Sequence, residues 1–247
     1  MDPLDNPVWD ALHGTQRAVA ESVGPAARYL PEVSPFGAFP EPPGPQHWDA
    51  MAELVGPGGV VILTGHTGTP PDGWDVEYDG TGAQMTGEAL ADTPAEVAAL
   101  RPDVRVAQLG EADAAAMVDL VALARPGPFA PRTWELGGYV GVHRDGQLVA
   151  MAGQRFRPSG WCEISAVATH PEHRRQGLAE LLVRVVAAGT VARGEVPLLH
   201  AAVDNTSAIR LYETMGFTHR ALVRFVAVRV PGVAPTTPAP NDLPVRC

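Results

Sequence analysis

EISAVATHPEHRRQGLAELLVRVVAA, residues 163–188, opens as a strand and closes as a helix. Ile164, Val167 and Ala168 form an apolar run too short, and too close to Pro171, for a helix. His170-Pro171 ends the strand, because the residue before proline is pushed to extended geometry and proline donates nothing to a ladder. A polar loop, PEHRRQGLA, follows. The next apolar positions, Leu178, Leu181, Leu182, Val185 and Val186, fall on one face of a helical period. A strand therefore feeds a basic, glycine-bearing loop that opens a helix. The free amides and positive dipole end of a helix start attract an anion. Gly177 lets backbone approach a ligand, Ala179 keeps a small side chain beside it, and Arg174 and Arg175 add charge. This points to a phosphate or pyrophosphate site. By itself the same loop could be an ordinary connection, so the rest of the chain must decide.

The chain has 247 residues, enough for one large domain or two small ones, and its 45% hydrophobic content suffices for a buried core. Arginine and lysine total 18 against 28 acids, a net charge of −10. Such a surface repels nucleic acid and anionic membrane and tolerates a cationic acceptor such as an amine. There is no lysine; every strong base is arginine. Cys162 and Cys247 are too few and too isolated for a disulfide framework or a zinc site, so no metal is expected. No apolar segment nears the roughly 18 residues of a membrane span, and MDPLDNPVWD lacks the basic start of a signal peptide. The expectation is a soluble, cytoplasmic protein.

Asn6-Pro7 reads as a cap and first helical position, with Val8, Trp9, Leu12 and Val19 carrying a helix to about Ser22. Short extended pieces are expected between Ala27 and Phe39, where Pro31 and Pro35 interrupt. The PEPPGP spacer at 40–45, a helix from His47 to Leu54 and a buried strand from Val60 to Leu63 follow. TGHTGTPPDGW then lacks the lysine and spacing of a phosphate loop, and Pro70-Pro71 blocks a helix there. The polar, glycine-rich segment from Trp74 to Met85 reads as an edge hairpin, and a boundary falls near residues 86–103. Beyond it come a strand (104–109), a helix (111–123) and a loop (126–134) that could line a substrate pocket. Strands at 138–142 and 148–156 are joined through Asp145-Gly146, a hairpin signal. The strand 161–169 and its helix follow, then a strand (197–203), a helix (206–215) and a strand (221–230). The order predicts a mixed α/β sheet. The proline-rich stretch 231–247 is expected to be a disordered tail.

Two separated pieces line up: VATHPEHRRQGLAELL, with Arg174-x-x-Gly177-x-Ala179, and LLHAAVDNTSAIRLYETMGF, with Asn205, Ala208, Tyr212 and Gly216-Phe217. Together they closely resemble the acyl-CoA-binding core of the GNAT superfamily of N-acyltransferases, the second string looking most like its glycine N-acyltransferase-like branch. The likeness spans roughly residues 103–230 as a complete domain. It implies a mixed, mostly antiparallel sheet flanked by helices, with residues 1–100 an appended, degenerate domain of related fold. Two departures are small: Ala179 replaces a commoner glycine, and Thr169 a usual valine.

The resemblance also assigns parts. Arg174, Arg175, Gln176, Gly177, Leu178, Ala179 and Glu180 would hold the pyrophosphate of acetyl-CoA or another acyl-CoA. The free edge of Val167, Ala168 and Thr169 would hold the pantetheine, with the Thr169 amide as oxyanion donor, and Asn205 would hydrogen-bond the cofactor. Tyr212 would protonate the departing thiolate. Two residues compete as general base for the amine. Glu163 lies eleven residues before Arg174, the spacing of the glutamate base in the histone-acetylating branch, and His200 lies five before Asn205, where other branches place a glutamate. The expected partner is a small-molecule or peptide amine, with no nucleic acid and no membrane and with a homodimer allowed. The rival is a non-catalytic acyl-CoA-binding module.

Overall fold

The computed structural model describes residues 2–232. Cys247, and the expected tail beyond Gly232, lie outside the described residues. The chain begins with α1 (Pro7–His13), β1 (Ala20–Val23), β2 (Ala26–Tyr29), β3 (Phe36–Ala38), α2 (Pro45–Val55), β4 (Val60–Thr64) and β5 (Asp75–Thr86). It continues through α3 (Pro94–Leu100), β6 (Val106–Gln108), α4 (Ala114–Ala124), β7 (Val140–Arg144), β8 (Gln147–Gln154) and β9 (Trp161–Thr169). It ends with α5 (Leu178–Val191), β10 (Val196–Ala202), α6 (Thr206–Met215) and β11 (Thr218–Arg229).

Two expectations are corrected. The first helix stops at Gly14, whose N–H closes on Ala11 O at 3.2 Å, instead of continuing to Ser22. The chain then turns and pairs Ala20–Val23 with β2, so the apolar Val19 that suggested helix lies at the entrance to a strand. The glycine-rich segment is no edge hairpin either. It is one twelve-residue strand, β5, inside the sheet. Its glycines make room instead of turns: a Cβ on Gly82 would lie 2.8 Å from the Phe225 ring.

One mostly antiparallel sheet runs through the molecule in the order β1-β2-β3-β4-β11-β5-β10-β9-β8-β7-β6. The two halves of the chain repeat a pattern. In each, a hairpin leads to a strand, a helix crosses over, and a parallel strand follows: β3-α2-β4 and β9-α5-β10. Parallel pairing ends at Gly37↔Leu63 in one half and at Ile164↔Leu199 in the other. Each half then gives its last long strand to the other. β5 pairs with β10, and β11 pairs with β4, while β5 and β11 pair with each other at the centre.

The repeat carries only one basic loop. Pro40-Glu41 precedes Gly44 at the start of α2, much as Pro171-Glu172 precedes Gly177 at the start of α5. The first loop holds Pro42, Pro43 and Pro45, which lack N–H groups, and no arginine. It cannot cradle an anion as the second can. The core follows the same division. Leu181, Leu182, Val183 and Val186 of α5 are buried against Val149, Ala150 and Leu199, while Phe36, Tyr29, Ile62 and Phe225 fill the first half.

Candidate active site

After Ile164↔Leu199, β9 and β10 diverge. A bulge on β9 helps open the gap: Ala166 and Val167 together face the single residue Ala152 of β8, and Ala166 takes φ 53°. The result is a cleft of about 390 Å³ with Ser165–Val167 on one wall and His200–Ala202 on the other. Asp204, Asn205 and Tyr212 close it from the α6 side, and Ala124–Pro126, at the end of α4, close it opposite. Of the loop expected to line a pocket at 126–134, only Pro126 reaches this cleft.

Backbone direction follows from one hydrogen bond. His170 N–H donates to Val149 O on β8 at 2.8 Å. Successive amides along a strand point to opposite edges, so Thr169 and Val167 both direct their N–H groups away from β8. Of the two, Val167 lines the cleft and Thr169 does not. Thr169, expected as the oxyanion donor, thus lies outside this cleft, and Val167 on the bulge borders it.

The loop before α5 has the geometry of an anion site. Gly177 caps the helix at φ 73°, and Arg175 takes φ 61°, a left-handed conformation unusual for a side-chain-bearing residue. The first amide to close a helical bond is Leu181 N–H, onto Gly177 O at 3.1 Å. The amides of Leu178, Ala179 and Glu180 ahead of it are the orphan donors of a helix start. The Arg174 and Arg175 side chains are exposed beside them. Arg101, just after α3, braces the loop by donating to Gln176 O at 3.0 Å, while Asp103 holds its guanidinium at 2.8 and 2.9 Å.

Asn205 caps α6, its Oδ1 accepting from Ala208 N–H at 3.2 Å. Tyr212, two turns on, is 8% exposed at the cleft wall. Burial pushes its hydroxyl up to about 12, so it carries its proton at neutral pH. Burial also pushes the Cys162 thiol up to about 12, which leaves no thiolate nucleophile there.

Glu163 and His200, expected as alternative bases, form one buried unit. Glu163 is 0% exposed, and the His200 side chain is likewise 0% exposed although its backbone borders the cleft. His200 Nδ1 lies 2.7 Å from Glu163 Oε1. Arg155 grips the same carboxylate with both Nε and Nη2, at 2.8 and 2.6 Å, and Phe156 N–H adds a longer bond of 3.3 Å. Burial raises the carboxyl's affinity for a proton, but the charge of Arg155 and the hydrogen bonds from Arg155 and His200 outweigh it and hold Glu163 at about 2. A carboxylate so placed and so occupied is a poor acceptor for an amine proton. The Arg155 guanidinium stacks between the Phe36 and Phe156 rings, 4.7 and 4.5 Å from their centroids. Arg155 was missed in the sequence because nothing local marks it. Its partner lies eight residues on, across the turn between β8 and β9. Among the described residues no group of three or more His, Cys, Asp or Glu is arranged to hold a metal ion, and no helix is long and apolar enough to cross a membrane.

The family described as FR47-like protein matches residues 139–226, which supply all of the cleft's lining except Ala124–Pro126. Over nearly its whole length the chain is also similar to a solved structure described as a putative acetyltransferase of the GNAT family from Novosphingobium aromaticivorans. Identity is 36%, the TM-score is 0.81, and the match covers 92% of this chain and 98% of that one. The chain belongs to the GNAT family. A GCN5-related N-acetyltransferase from Kribbella flavida shares the fold at 18% identity, with a TM-score of 0.61 over 92% of this chain and 95% of that one. A mycothiol acetyltransferase from Thermomonospora curvata is 25% identical over 173 residues, 70% of this chain. The chain spans about half the length of that relative, 48%. The match to the Novosphingobium structure extends through both halves of the molecule, whereas the family model matches within the second half.

Proposed function

We propose that this GNAT protein transfers an acetyl or other short acyl group from acyl-CoA to a primary amine of a small molecule or peptide, by direct attack in a ternary complex. The observation that carries the reading is the divergence of β9 and β10 beside a basic helix start, with a protonated tyrosine facing the gap. The α5 amides, Arg174 and Arg175 would hold the pyrophosphate, and the free edge of β9 would hold the pantetheine. A second cavity of about 420 Å³, bordered by Arg101, Gly177 and Arg184, adjoins the loop and leaves room for the rest of the nucleotide.

The amine lone pair attacks the thioester carbonyl carbon. The oxygen that gains charge meets the Val167 N–H. The C–S bond breaks, and the departing thiolate takes the Tyr212 proton, giving free CoA thiol. The proton lost by the amine passes to water in the open cleft, where Asp204 is the one carboxylate among the lining residues. That proton balances the one Tyr212 regains from solvent. Glu163 and His200 stand behind this chemistry, holding Arg155 in the wall.

Release of CoA thiol against a panel of amines and acyl donors tests the proposal. Turnover with any amine supports it, whereas tight acyl-CoA binding with no turnover across the panel would favour the non-catalytic binding module. Tyr212→Phe should lower kcat by roughly 10²-fold, the size of a general-acid contribution, with the Kd for acetyl-CoA unchanged in calorimetry. An unaltered kcat would remove Tyr212 from the acid role. Gly177→Val forces a side chain into φ 73°. It should cost about 1–2 kcal/mol of stability and weaken acetyl-CoA roughly tenfold or more, each 1.4 kcal/mol of lost contact being a factor of ten.

A further inference from the structure

We propose that Gln84, supplied by β5 from the first half of the chain, is a positioning residue that holds His200 as the neutral Nδ1–H tautomer. The hydrogen bonds leave one consistent assignment. Arg220 Nη1 donates to Gln84 Oε1 at 2.7 Å. A guanidinium has no acceptor, so the Gln84 atom facing it must be the carbonyl oxygen. Gln84 Nε2 donates to Leu4 O at 3.1 Å, and a carbonyl can only accept. The amide is therefore oriented from both ends. Its remaining N–H faces His200 Nε2 at 3.0 Å, which requires a lone pair on that ring nitrogen. The proton must then sit on Nδ1, where it is donated to Glu163 Oε1 at 2.7 Å.

Every element around the ring agrees. Glu163 approaches from β9, with Arg155 behind it from the end of β8. Gln84 approaches from β5, with Arg220 of β11 behind it, and Phe225 of β11 meets the ring edge-on at 5.4 Å. Arg220 is itself fixed at the amino-terminal turn by Asp2 and Asp5, at 2.8 and 2.7 Å. A proton on Nε2 would face the Gln84 N–H head-on. His200 thus has no free lone pair for an amine. Its ring passes the orientation set by the first half to Glu163, and through Glu163 to Arg155 in the cleft wall. This role in catalysis rests on the acyltransfer reading, whereas the tautomer rests on geometry alone.

The test is long-range ¹H–¹⁵N NMR of the full chain labelled at histidine, with His200 assigned by the resonances lost in His200→Gln. In the wild type at neutral pH the expected signature is a protonated Nδ1 and an unprotonated Nε2. Gln84→Glu places a carboxylate oxygen before Nε2, so that resonance should move into the protonated range and His200 become imidazolium. A wild-type ring with Nε2–H, or with both nitrogens protonated, overturns the proposal, and this reading stands even if the variant does not fold. The spectrum needs no acyl donor. Its failure is therefore separate from that of the acyltransfer reading, which thiol release reports.

Discussion

A fragment of residues 100–247, which carries every motif of the acyl-CoA site, is expected to show no sigmoidal melt by circular dichroism and a collapsed, poorly dispersed NMR spectrum. The second half lacks one strand of its own sheet. β5 lies between β10 and β11, pairing with β10 from Gly82↔Ala202 to Thr86↔Leu198 and with β11 along nearly its full length. Without it those two strands each expose an unpaired edge. The buried Ala83, Gln84 and Met85 are lost as well, and Met85 belongs to the same core cluster as α5. Removing one large core side chain typically costs about 2–5 kcal/mol. Removing a whole central strand exceeds the roughly 5–15 kcal/mol by which a domain is stable. Adding the fragment 1–99 should restore the cooperative transition. A folded, active 100–247 fragment would show that β5 is dispensable.

That strand also marks where sequence reading runs out. The strand and helix within residues 163–188 were legible because what bounds them is local: Pro171 stops the strand, and the spacing from Leu178 to Val186 makes the helix face. The strand and helix around Asn205 and Tyr212 were legible for the same reason. Gly80 and Gly82 suggested a turn, because the Phe225 ring that demands a small residue at Gly82 is supplied by tertiary packing from β11. In the site, the arginine loop, Tyr212 and Asn205 could be found from spacing. The Val167 bulge could not, since it depends on a register shift against β8. Nor could the pairing of Glu163 with His200, whose contact crosses 37 residues and two strands. Each has a local pattern that suits a base; only their proximity shows that they occupy one another.

The same pairing sets the second large effect. Arg155→Met is expected to destabilise the protein by about 3–5 kcal/mol, because it leaves the Glu163 carboxylate buried without its cation. For a chain of this size that is roughly 6–20 °C in Tm. Adding Glu163→Leu to Arg155→Met should recover most of the loss, since replacing a buried pair by apolar groups is often neutral where breaking it is not. The pH dependence carries a sign that separates this pair from a surface one. Glu163 is held at about 2, below its ordinary 4.5, so the folded state favours the ionised carboxylate. The pair's stabilisation is present in full above 4.5 and is lost as pH falls through about 2. Glu163→Gln should therefore be less stable than the wild type at neutral pH and lose less between pH 4.5 and 2. Urea midpoints measured across that range decide it. Parallel wild-type and Glu163→Gln curves would mean that the carboxylate is not held by Arg155 in solution.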